Sequence, residues 1–348
     1  MRLKTIKKKN ASDLASTHQF SSKKDQNGLR YGISLDNEGG CPFKCPGCGV
    51  HENSRIVSPA ENRKTIAHEI AGLKSKLEED RIGNSQSYHI IVYNSGNVAS
   101  PRELSVENLV YLLQQLSTLE QKPVIVTLNT RGVYVTSGLL DTLHSLDLSY
   151  RVDFNFGVET LTERGRSIYG KPQIANELAQ VFGTLREYNE RYNSTFGLMV
   201  NFVYLPEAYL EEGEAREGHV EKVNEEFVME IGNFLAIHAN HYIPLRINLH
   251  PFYRVATLPY DDSSLDDFMR AAICINALVD TQNTLITEQT LHVSMFVGVQ
   301  DRGYETKKWV DQIKRWQHVI DAINSRQLHF DPQGGSQLLN ISLVVVNV

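Results

Sequence analysis

The sequence predicts an α/β protein with a parallel (β/α) barrel, made of a six-stranded partial core and additional C-terminal elements. Short apolar segments alternate with amphipathic helical segments, and strand alternating with helix gives parallel pairing through right-handed crossovers. The strands also carry polar residues on one face, and a cysteine-containing loop follows the first of them. Barrel active sites lie at this end of the strands, so the fold class also predicts where the site lies.

The order of the elements is regular over the first 250 or so positions, about 40 residues per unit. Six strands are predicted, at residues 29–36, 88–94, 123–130, 150–160, 196–206 and 244–252. Between them, apolar residues recur every three or four positions, which indicates amphipathic helices. These helices are predicted at residues 61–79, 105–116, 139–146, 174–192 and around 223–234. Ser105 is expected to cap the second helix.

The C-terminal part has a weaker pattern. Residues 264–282 and 304–326 are predicted as helices, whereas 291–299 and 341–348 have the composition of strands. These elements could complete eight β/α units or form a small separate layer, and we favour the second arrangement around six core strands. The chain is accordingly divided into a basic N-terminal arm at 1–28, the barrel core at 29–255 and C-terminal helices and strands at 256–348.

Composition indicates an ordinary globular protein. Apolar residues make up 41% of the chain and charged residues 22%, and no apolar run approaches the roughly 18 residues needed to span a bilayer. The basic start, MRLKTIKKKN, is not followed by an apolar segment, so no signal peptide and no membrane partner are expected. Three of the four cysteines lie close together in the sequence, which is not the pattern of a disulfide framework. This favours a reducing, cytoplasmic location.

Charge bears on possible nucleic-acid binding. The net charge of −6 weighs against a large nucleic-acid footprint without excluding one. The N-terminal arm nevertheless concentrates positive charge, and it is either a solvated segment or a contact surface for an anionic partner. Its lysines are Lys4, Lys7, Lys8, Lys9, Lys23 and Lys24.

Strands four and six alternate between apolar and polar residues. Because helices must cover the apolar face, the polar face is expected to point into the barrel, where Val, Ile and Leu are usual. Buried polar groups are costly unless they are paired or bind a ligand, so the lumen is predicted to hold a polar substrate. An open antiparallel sheet with one wet face is the alternative. The predicted substrate residues are Asp153, Asn155, Arg246 and Asn248, with His250 as an acid–base group or a hydrogen-bonded lumen histidine.

The segment GGCPFKCPGCGVHENSR, residues 39–55, places Cys41, Cys45 and Cys48 within eight positions. Thiolates this close on a Gly- and Pro-rich loop are typical of metal ligands, and iron–sulfur clusters take thiolates at short spacings. A structural zinc site is the alternative, with His51 as a fourth ligand. A free-thiol or transient disulfide role is a third alternative. The position of the loop after the first strand favours a catalytic cluster.

This Cys-x3-Cys-x2-Cys segment resembles the radical S-adenosylmethionine (radical SAM) superfamily. The resemblance implies that Cys41, Cys45 and Cys48 bind three irons of one 4Fe-4S cluster and that S-adenosyl-L-methionine occupies the fourth iron. It also implies reductive cleavage of that cofactor to a 5′-deoxyadenosyl radical, with the electron supplied by a donor such as flavodoxin or ferredoxin. One cluster is expected, because the remaining cysteine, Cys274, lies in an apolar helix as a core residue or a hydrogen-atom donor.

Two further segments extend the resemblance over about residues 29–255. Asn94-Ser95-Gly96-Asn97 lies where the family has its GGE-type motif against the methionine moiety, although the acidic residue is missing here. FGVET, residues 156–160, resembles the strand-four GxE motif of the coproporphyrinogen dehydrogenase-like and Elongator-like branch. In that branch a polar residue at Glu159 and a basic residue at Lys171 contact the cofactor.

Other positions match less closely. Lys171 stands where arginine is commoner, and Arg164 and Arg166 are nearby alternatives. YLPE at 204–207 and HPFYR at 250–254 resemble the ends of the family's fifth and sixth strands. Gly47 replaces the aromatic residue that usually precedes the third cysteine. Its place near the adenine could be taken by an aromatic side chain at Phe43, Phe252 or Tyr253.

The sequence therefore predicts a radical SAM enzyme acting on a small polar metabolite, such as a nucleoside, a nucleotide sugar or a natural-product precursor. A radical SAM enzyme that modifies a tRNA base is the alternative, and it would use the basic arm. The non-enzyme alternative is a zinc-stabilised α/β binding protein.

Overall fold

A computed structural model describes residues 23–25, 28–43, 45–46, 55–82, 87–192, 196–239, 243–252, 260, 262–285, 294–297 and 310–325. Within these residues one sheet contains eight strands in chain order. The strands are β1 (Lys23–Asp25), β2 (Gly28–Ser34), β3 (Tyr88–Tyr93), β4 (Ile125–Thr130), β5 (Arg151–Glu159), β6 (Gly197–Tyr204), β7 (Leu245–Pro251) and β8 (Ser294–Val297).

Helices separate most of the strands. The α-helices are α1 (Pro59–Glu79), α2 (Val106–Ser117), α3 (Ser137–Ser145), α4 (Glu163–Ile168), α5 (Ile174–Tyr192), α6 (Val220–His238), α7 (Leu265–Leu285) and α8 (Val310–Ser325). Single turns of 3-10 helix follow β4 and β6, at Gly132–Tyr134 and Pro206–Ala208. None of the described helices is both long and apolar enough to cross a membrane.

The predicted fold class is confirmed. Strands β2 to β8 pair in parallel with their neighbours in the chain, as in a partial (β/α) barrel. The six predicted strands correspond to β2 to β7. Strand β8 adds a seventh parallel strand beyond them, so one of the C-terminal elements extends the sheet. The predicted strand at 341–348 lies outside the described residues.

The edges of the sheet contain a feature that the sequence did not predict. Strand β1 pairs antiparallel with β2, with Lys23 opposite Arg30, so Lys23 and Lys24 of the predicted basic arm are part of the sheet. Helix α8 contacts both β1 and β8, which are the two edge strands. This helix also satisfies backbone groups of β8, because Asn324 accepts a hydrogen bond from Val297 N at 2.7 Å and donates to Val297 O at 3.2 Å.

The apolar core lies between the sheet and the helices. Alternate side chains of the central strands point into it, as Leu198, Val200 and Phe202 of β6 do. The helices contribute one apolar stripe each, and Phe234 of α6 meets Phe202 edge to face with ring centroids 5.2 Å apart. The opposite face of the sheet carries the polar residues of the same strands.

The N-terminus of α2 corrects one expectation. Ser105 is at the N-cap position, but its hydroxyl group makes no capping hydrogen bond. The carboxylate of Glu38 instead binds the backbone of the N-cap residue, because its Oε2 accepts a hydrogen bond from Ser105 N at 2.9 Å. Glu38 also accepts from the amides of Asn62 and Asn108, so this one side chain joins the end of β2 to α1 and α2.

Candidate functional site

The cysteine loop begins where β2 ends and returns to the sheet through a backbone bridge. Asn37 N donates to Arg55 O at 3.1 Å, and Val57 N donates to Asn37 O at 2.8 Å. This bridge places the loop at the carboxyl end of the first parallel strand, as the sequence predicted. Cys41 is half-buried and Cys45 is buried. Residue 44 and residues 47–54, with the third cysteine Cys48, lie outside the described part.

The segment after β3 lies directly beside Cys41. Asn97 Nδ2 is 3.7 Å from Cys41 Sγ, within hydrogen-bonding distance for sulfur. The buried carboxylate of Glu103 accepts from Asn97 N at 2.9 Å and from Asn97 Nδ2 at 2.7 Å. A side chain at position 96 would displace the Glu103 carboxylate, because a Cβ atom would be 1.6 Å from Glu103 Oε2 and 3.3 Å from Cys41 Cβ.

This segment contains four of the predicted cofactor residues. Asn94 Oδ1 accepts a hydrogen bond from Gly96 N at 3.0 Å, which closes a turn that Asn side chains commonly form. Asn94 and Asn97 are buried, whereas Ser95 and Gly96 are half-buried. Ser95 and Gly96 are therefore the more accessible members of the group.

The end of β4 reaches Cys45 through Arg131. Arg131 Nη1 is 3.7 Å from Cys45 Sγ, and its Cζ lies 4.1 Å from the ring centroid of Phe43. The other edge of the guanidinium pairs with Glu177 in the first turn of α5: Nε donates to Oε2 at 3.0 Å, and Nη2 donates to Oε1. Both side chains of this ion pair are almost completely buried.

The end of β5 carries the predicted cofactor pair, Glu159 and Lys171. Lys171 Nζ donates to Glu159 Oε1 and to Gly157 O, each at 2.7 Å. Glu159 has a φ of 66°, which is unusual for a residue with a side chain, and the pairing of β5 with β6 shifts register between Gly157 and Glu159. Because of this bulge, Glu159 does not follow the regular alternation of side chains between the two faces of β5.

The loop before Lys171 also contacts the cysteine loop. Gly170 has a φ of 62°, and a Cβ atom there would be 2.5 Å from Cδ of Pro46. Only glycine allows this backbone conformation together with so close an approach. The turn that precedes Lys171 therefore packs directly against Pro46, the residue that follows Cys45.

The alternative arginines have other partners. Arg164 Nε donates to Glu207 O at 2.8 Å, and Arg166 Nη1 donates to Pro172 O at 3.4 Å. Both contacts are with backbone carbonyl groups near α4, whereas Lys171 contacts Glu159 itself. Of the three candidate cations, Lys171 is the one that contacts Glu159 at the end of β5.

The predicted substrate residues lie on the polar face of β5 and β7. Asp153 is buried, and its carboxylate accepts hydrogen bonds from Nε and Nη2 of Arg151, at 2.7 and 2.9 Å. Asn155 Nδ2 donates to Asn129 Oδ1 at 3.0 Å, and the next row repeats this pairing of amides across strands. There Asn248 donates to Asn201 Oδ1 at 2.8 Å.

The register brings these residues onto one surface. Asn155 is opposite Met199, which is opposite Arg246, and His250 is opposite Val203 nearer the carboxyl end of β7. Arg246 and Asn248 are buried and His250 is half-buried. The oxygen atoms Asn155 Oδ1 and Asn248 Oδ1 are buried without a hydrogen-bond partner among the described residues.

The remaining candidates lie in different places. Phe43 is half-buried beneath Arg131 and meets Tyr134 edge to face, and Phe252 is buried at the end of β7. Tyr253, Gly47 and His51 lie outside the described residues. Cys274 is half-buried on α7, which packs against α6 and α8, and burial raises the pKa of its thiol. A raised pKa keeps this thiol neutral, as in a packing residue.

Two observations bear on whether the loop suits a cluster. In the part of the chain that the structure describes, no three His, Cys, Asp or Glu side chains form a metal site, and the third cysteine lies outside that part. The sulfur atoms of Cys41 and Cys45 each lie within hydrogen-bonding distance of an N–H group that follows a neighbouring strand. Sulfur ligands of iron–sulfur clusters accept such hydrogen bonds, so the donor set fits thiolate ligation.

Comparison with known proteins gives structural matches alone. No family model and no curated protein matches the chain. One matched structure is a radical SAM methyltransferase from Sphaerobacter thermophilus, with a TM-score of 0.44 and 11% identity over 79% of this chain and 68% of that one. Another is Elp3 of the archaeon Methanocaldococcus infernus with an N-terminal deletion, with a TM-score of 0.41 and 10% identity.

The alignment with Elp3 covers 83% of this chain and 63% of that protein, so the chain spans about two thirds of the length of both matched structures.

Proposed function

We propose that the chain is a radical SAM enzyme whose 4Fe-4S cluster is held by Cys41, Cys45 and Cys48. The observation that carries the proposal is that the segments after β3, β4 and α4 all contact the loop that follows β2. The loop after β2 carries the cysteines, the loop after β3 contacts Cys41, the end of β4 contacts Cys45, and the turn between α4 and α5 approaches Pro46. Carboxyl ends of parallel strands are where barrel enzymes bind their reactants.

The protein's share of this chemistry is binding and orientation. When bound, the cluster supplies the electron that cleaves S-adenosylmethionine to a 5′-deoxyadenosyl radical. A small electron carrier such as flavodoxin or ferredoxin is the proposed source of that electron. Asn97 and Arg131 hold the cysteine side chains through N–H groups, and Glu38 fixes the start of the loop.

Glu159 and Lys171 are proposed to bind S-adenosylmethionine. Their ion pair is only partly exposed, with side-chain accessibilities of 21% and 11%, so a polar ligand can meet the carboxylate from one side. Lys171 is held by Gly157 O as well, which fixes the position of the positive charge. Ser95 and Gly96, with the turn formed by Asn94, are proposed to contact the methionine end of the cofactor.

The polar face of β5 and β7 supports a small polar substrate. The charge of Asp153 is neutralised by Arg151, and the amide groups of Asn155 and Asn248 lie on the same surface. A buried amide oxygen without a partner costs about 1–3 kcal/mol, and a substrate N–H or O–H group can remove that cost. The acceptors Asn155 Oδ1 and Asn248 Oδ1 therefore favour a substrate rich in donors, such as a nucleoside, a nucleotide sugar or a natural-product precursor, with His250 as an acid–base group.

The test is reconstitution of the protein under anaerobic conditions. Wild-type protein should hold about four irons per chain and, with a chemical reductant, should form 5′-deoxyadenosine from S-adenosylmethionine. Replacing Cys41, Cys45 or Cys48 with Ala should abolish this product, whereas the matched control Cys274→Ala should retain it. Full cleavage by the Cys45→Ala protein would overturn the proposal. A colourless protein that holds zinc instead of iron would favour the binding-protein alternative.

A further inference from the structure

Two similar chains of contacts end on Cys41 and Cys45. On one side, the Glu103 carboxylate holds Asn97, and the Asn97 amide is 3.7 Å from Cys41 Sγ. On the other side, the Glu177 carboxylate holds Arg131, and the Arg131 guanidinium is 3.7 Å from Cys45 Sγ. Each chain runs from a buried carboxylate through a nitrogen donor to a sulfur atom.

Both carboxylates use both of their oxygens on the donor. Glu103 is completely buried, and its two oxygens accept from the backbone and the side chain of Asn97. Glu177 is 6% exposed, and its oxygens accept from Nε and Nη2 of Arg131, which leaves Nη1 for the sulfur. A donor held at two points has little freedom to turn away, so the N–H groups are fixed in orientation toward the sulfurs.

The sign of their effect follows from charge. Reduction adds an electron to a cluster, so any nearby N–H dipole or positive charge stabilises the reduced state relative to the oxidised one. The two carboxylates have the opposite effect at longer range. Burial strengthens both contributions, because the effective dielectric constant is lower than that of water.

We propose that Asn97 and Arg131 are positioning residues that make the cluster easier to reduce, with Glu103 and Glu177 limiting the size of that effect. This inference rests on the proposed function, because it requires a cluster on Cys41, Cys45 and Cys48. It assigns a role to Arg131, Glu103 and Glu177, which the motif resemblance leaves without one. It also gives Asn97 a contact with a cysteine in addition to any contact with the cofactor.

The experiment is a redox titration of reconstituted protein without S-adenosylmethionine, followed by electron paramagnetic resonance. Arg131→Met should make reduction less favourable by about tenfold, which is about 59 mV for one electron. Glu177→Gln should shift the potential in the opposite direction, because Arg131 keeps its contact and loses its counter-charge. Asn97→Ala should shift the potential in the same direction as Arg131→Met, by less, because the amide carries no net charge.

A double variant tests whether an unpaired buried carboxylate, rather than the loss of the arginine, explains the result for Arg131→Met. Arg131→Met alone leaves the buried Glu177 carboxylate without its partner, so Arg131→Met with Glu177→Gln is prepared as well, and its potential should fall between those of Arg131→Met and wild type. Arg63→Met is the matched control, because Arg63 also lies over an aromatic ring, that of Tyr111 on α2, but on the exposed surface of α1. Its potential should equal that of wild type.

Iron content separates the two possible failures. If wild-type protein holds no iron–sulfur cluster, the proposed function fails and this inference fails with it. If wild-type protein holds the cluster and the variants of Arg131, Glu177 and Asn97 all have the wild-type potential, only this inference is overturned. Opposite shifts for Arg131→Met and Glu177→Gln would support it, because a purely structural role for both residues predicts no such pair of signs.

Discussion

The two faces of the sheet differ in how their side chains are held. On the face covered by helices, apolar side chains such as Phe202 and Phe234 pack on many neighbours at once. On the other face and at the strand ends, polar side chains are held by specific hydrogen-bonded pairs. These pairs are Arg151–Asp153, Asn155–Asn129, Asn248–Asn201, Arg131–Glu177 and Lys171–Glu159.

This difference separates stability from chemistry. Dispersion and the hydrophobic effect sum over many contacts, so the helix-covered face carries most of the free energy of folding. A polar pair contributes little net free energy, because its groups are equally well solvated in the unfolded chain. It does fix a donor or an acceptor in space. Substitutions on the two faces should therefore change different measured quantities.

The largest effect on stability is expected from Phe202→Ala. Phe202 is completely buried between β6 and α6, and truncation of such a side chain typically costs about 3–5 kcal/mol. Denaturant unfolding should show this loss, while the iron content of the reconstituted protein stays unchanged. Met229→Ala on the exposed side of α6 is the control and should change stability by no more than about 0.5 kcal/mol. Loss of iron at wild-type stability would contradict the separation of the two faces.

The sequence predicts the elements that have a local residue pattern, and it does not predict those that depend on contacts with another segment. Apolar periodicity is local, so it predicted the six strands β2 to β7, and helix α5 has the predicted bounds, 174–192. Strand β1 has no such pattern in Lys23–Asp25 and exists through its pairing with β2. The three-residue segment offered no sequence signal of its own.

The site shows the same limit. The cysteines and the spacing of Glu159 and Lys171 are visible in the sequence, because family motifs are local in the chain. Glu177 is 46 residues from Arg131, and they meet only because α5 packs beside the end of β4. Glu103 is near Asn97 in sequence, but no residue pattern marks it as a partner. Long-range packing decided these contacts.

A smaller effect, in cofactor binding rather than stability, is expected from Glu159→Ala. Loss of a charge-assisted hydrogen bond costs about 1.5–3 kcal/mol, or roughly 10- to 150-fold in affinity for S-adenosylmethionine. Iron content should not change, because the side-chain partner of Glu159 among the described residues is Lys171, whereas Cys41 and Cys45 are contacted by Asn97 and Arg131. Binding is measured by titration of the reconstituted protein under anaerobic conditions.

The control for Glu159→Ala is Glu163→Ala, which removes the same charge four residues away on the exposed start of α4. Its affinity should match that of wild type. Equal affinities for Glu159→Ala and wild type would show that the end of β5 does not contact the cofactor. Equal losses in both variants would instead indicate a general effect of net charge.

Glu230 of α6 joins the two regions and should show a modest pH effect. It accepts hydrogen bonds from Leu161 N, Thr160 Oγ1 and Tyr209 OH, so it fixes the turn after Glu159 from the helix side. Burial, the largest influence, raises the pKa of this carboxyl above its ordinary value. The folded protein then binds a proton more tightly than the unfolded chain does.

The sign of the pH dependence follows directly. Stability from Glu230 is present below the ordinary pKa, about 4.3, and is lost as the pH rises through the higher pKa of the folded state. A glutamine at this position cannot titrate. The unfolding free energy of the Glu230→Gln protein should therefore increase relative to that of wild type as the pH rises from about 4 to 7. Denaturant unfolding at several pH values measures this difference. A constant difference across that range would contradict the assignment.

The smallest effect is expected from shortening the basic arm. Because Lys23 and Lys24 lie in β1, the deletion should stop at residue 22 so that pairing with β2 is kept. A small substrate bound on the polar face of β5 and β7 makes no use of the arm, so cleavage of S-adenosylmethionine should be unchanged. Binding of bulk tRNA is the second measurement, because each lost phosphate contact lowers the salt slope by about 0.7 to 0.9.

The result on tRNA decides between the two substrate classes. Wild-type protein should bind tRNA weakly, with the same salt slope as the shortened protein, because the net charge of −6 disfavours phosphate contacts elsewhere. A steep slope in wild type that becomes shallower by several contacts in the shortened protein would favour a tRNA-modifying enzyme. In that case the polar face would bind one base of the tRNA, and the arm would supply the phosphate contacts that a small substrate does not need.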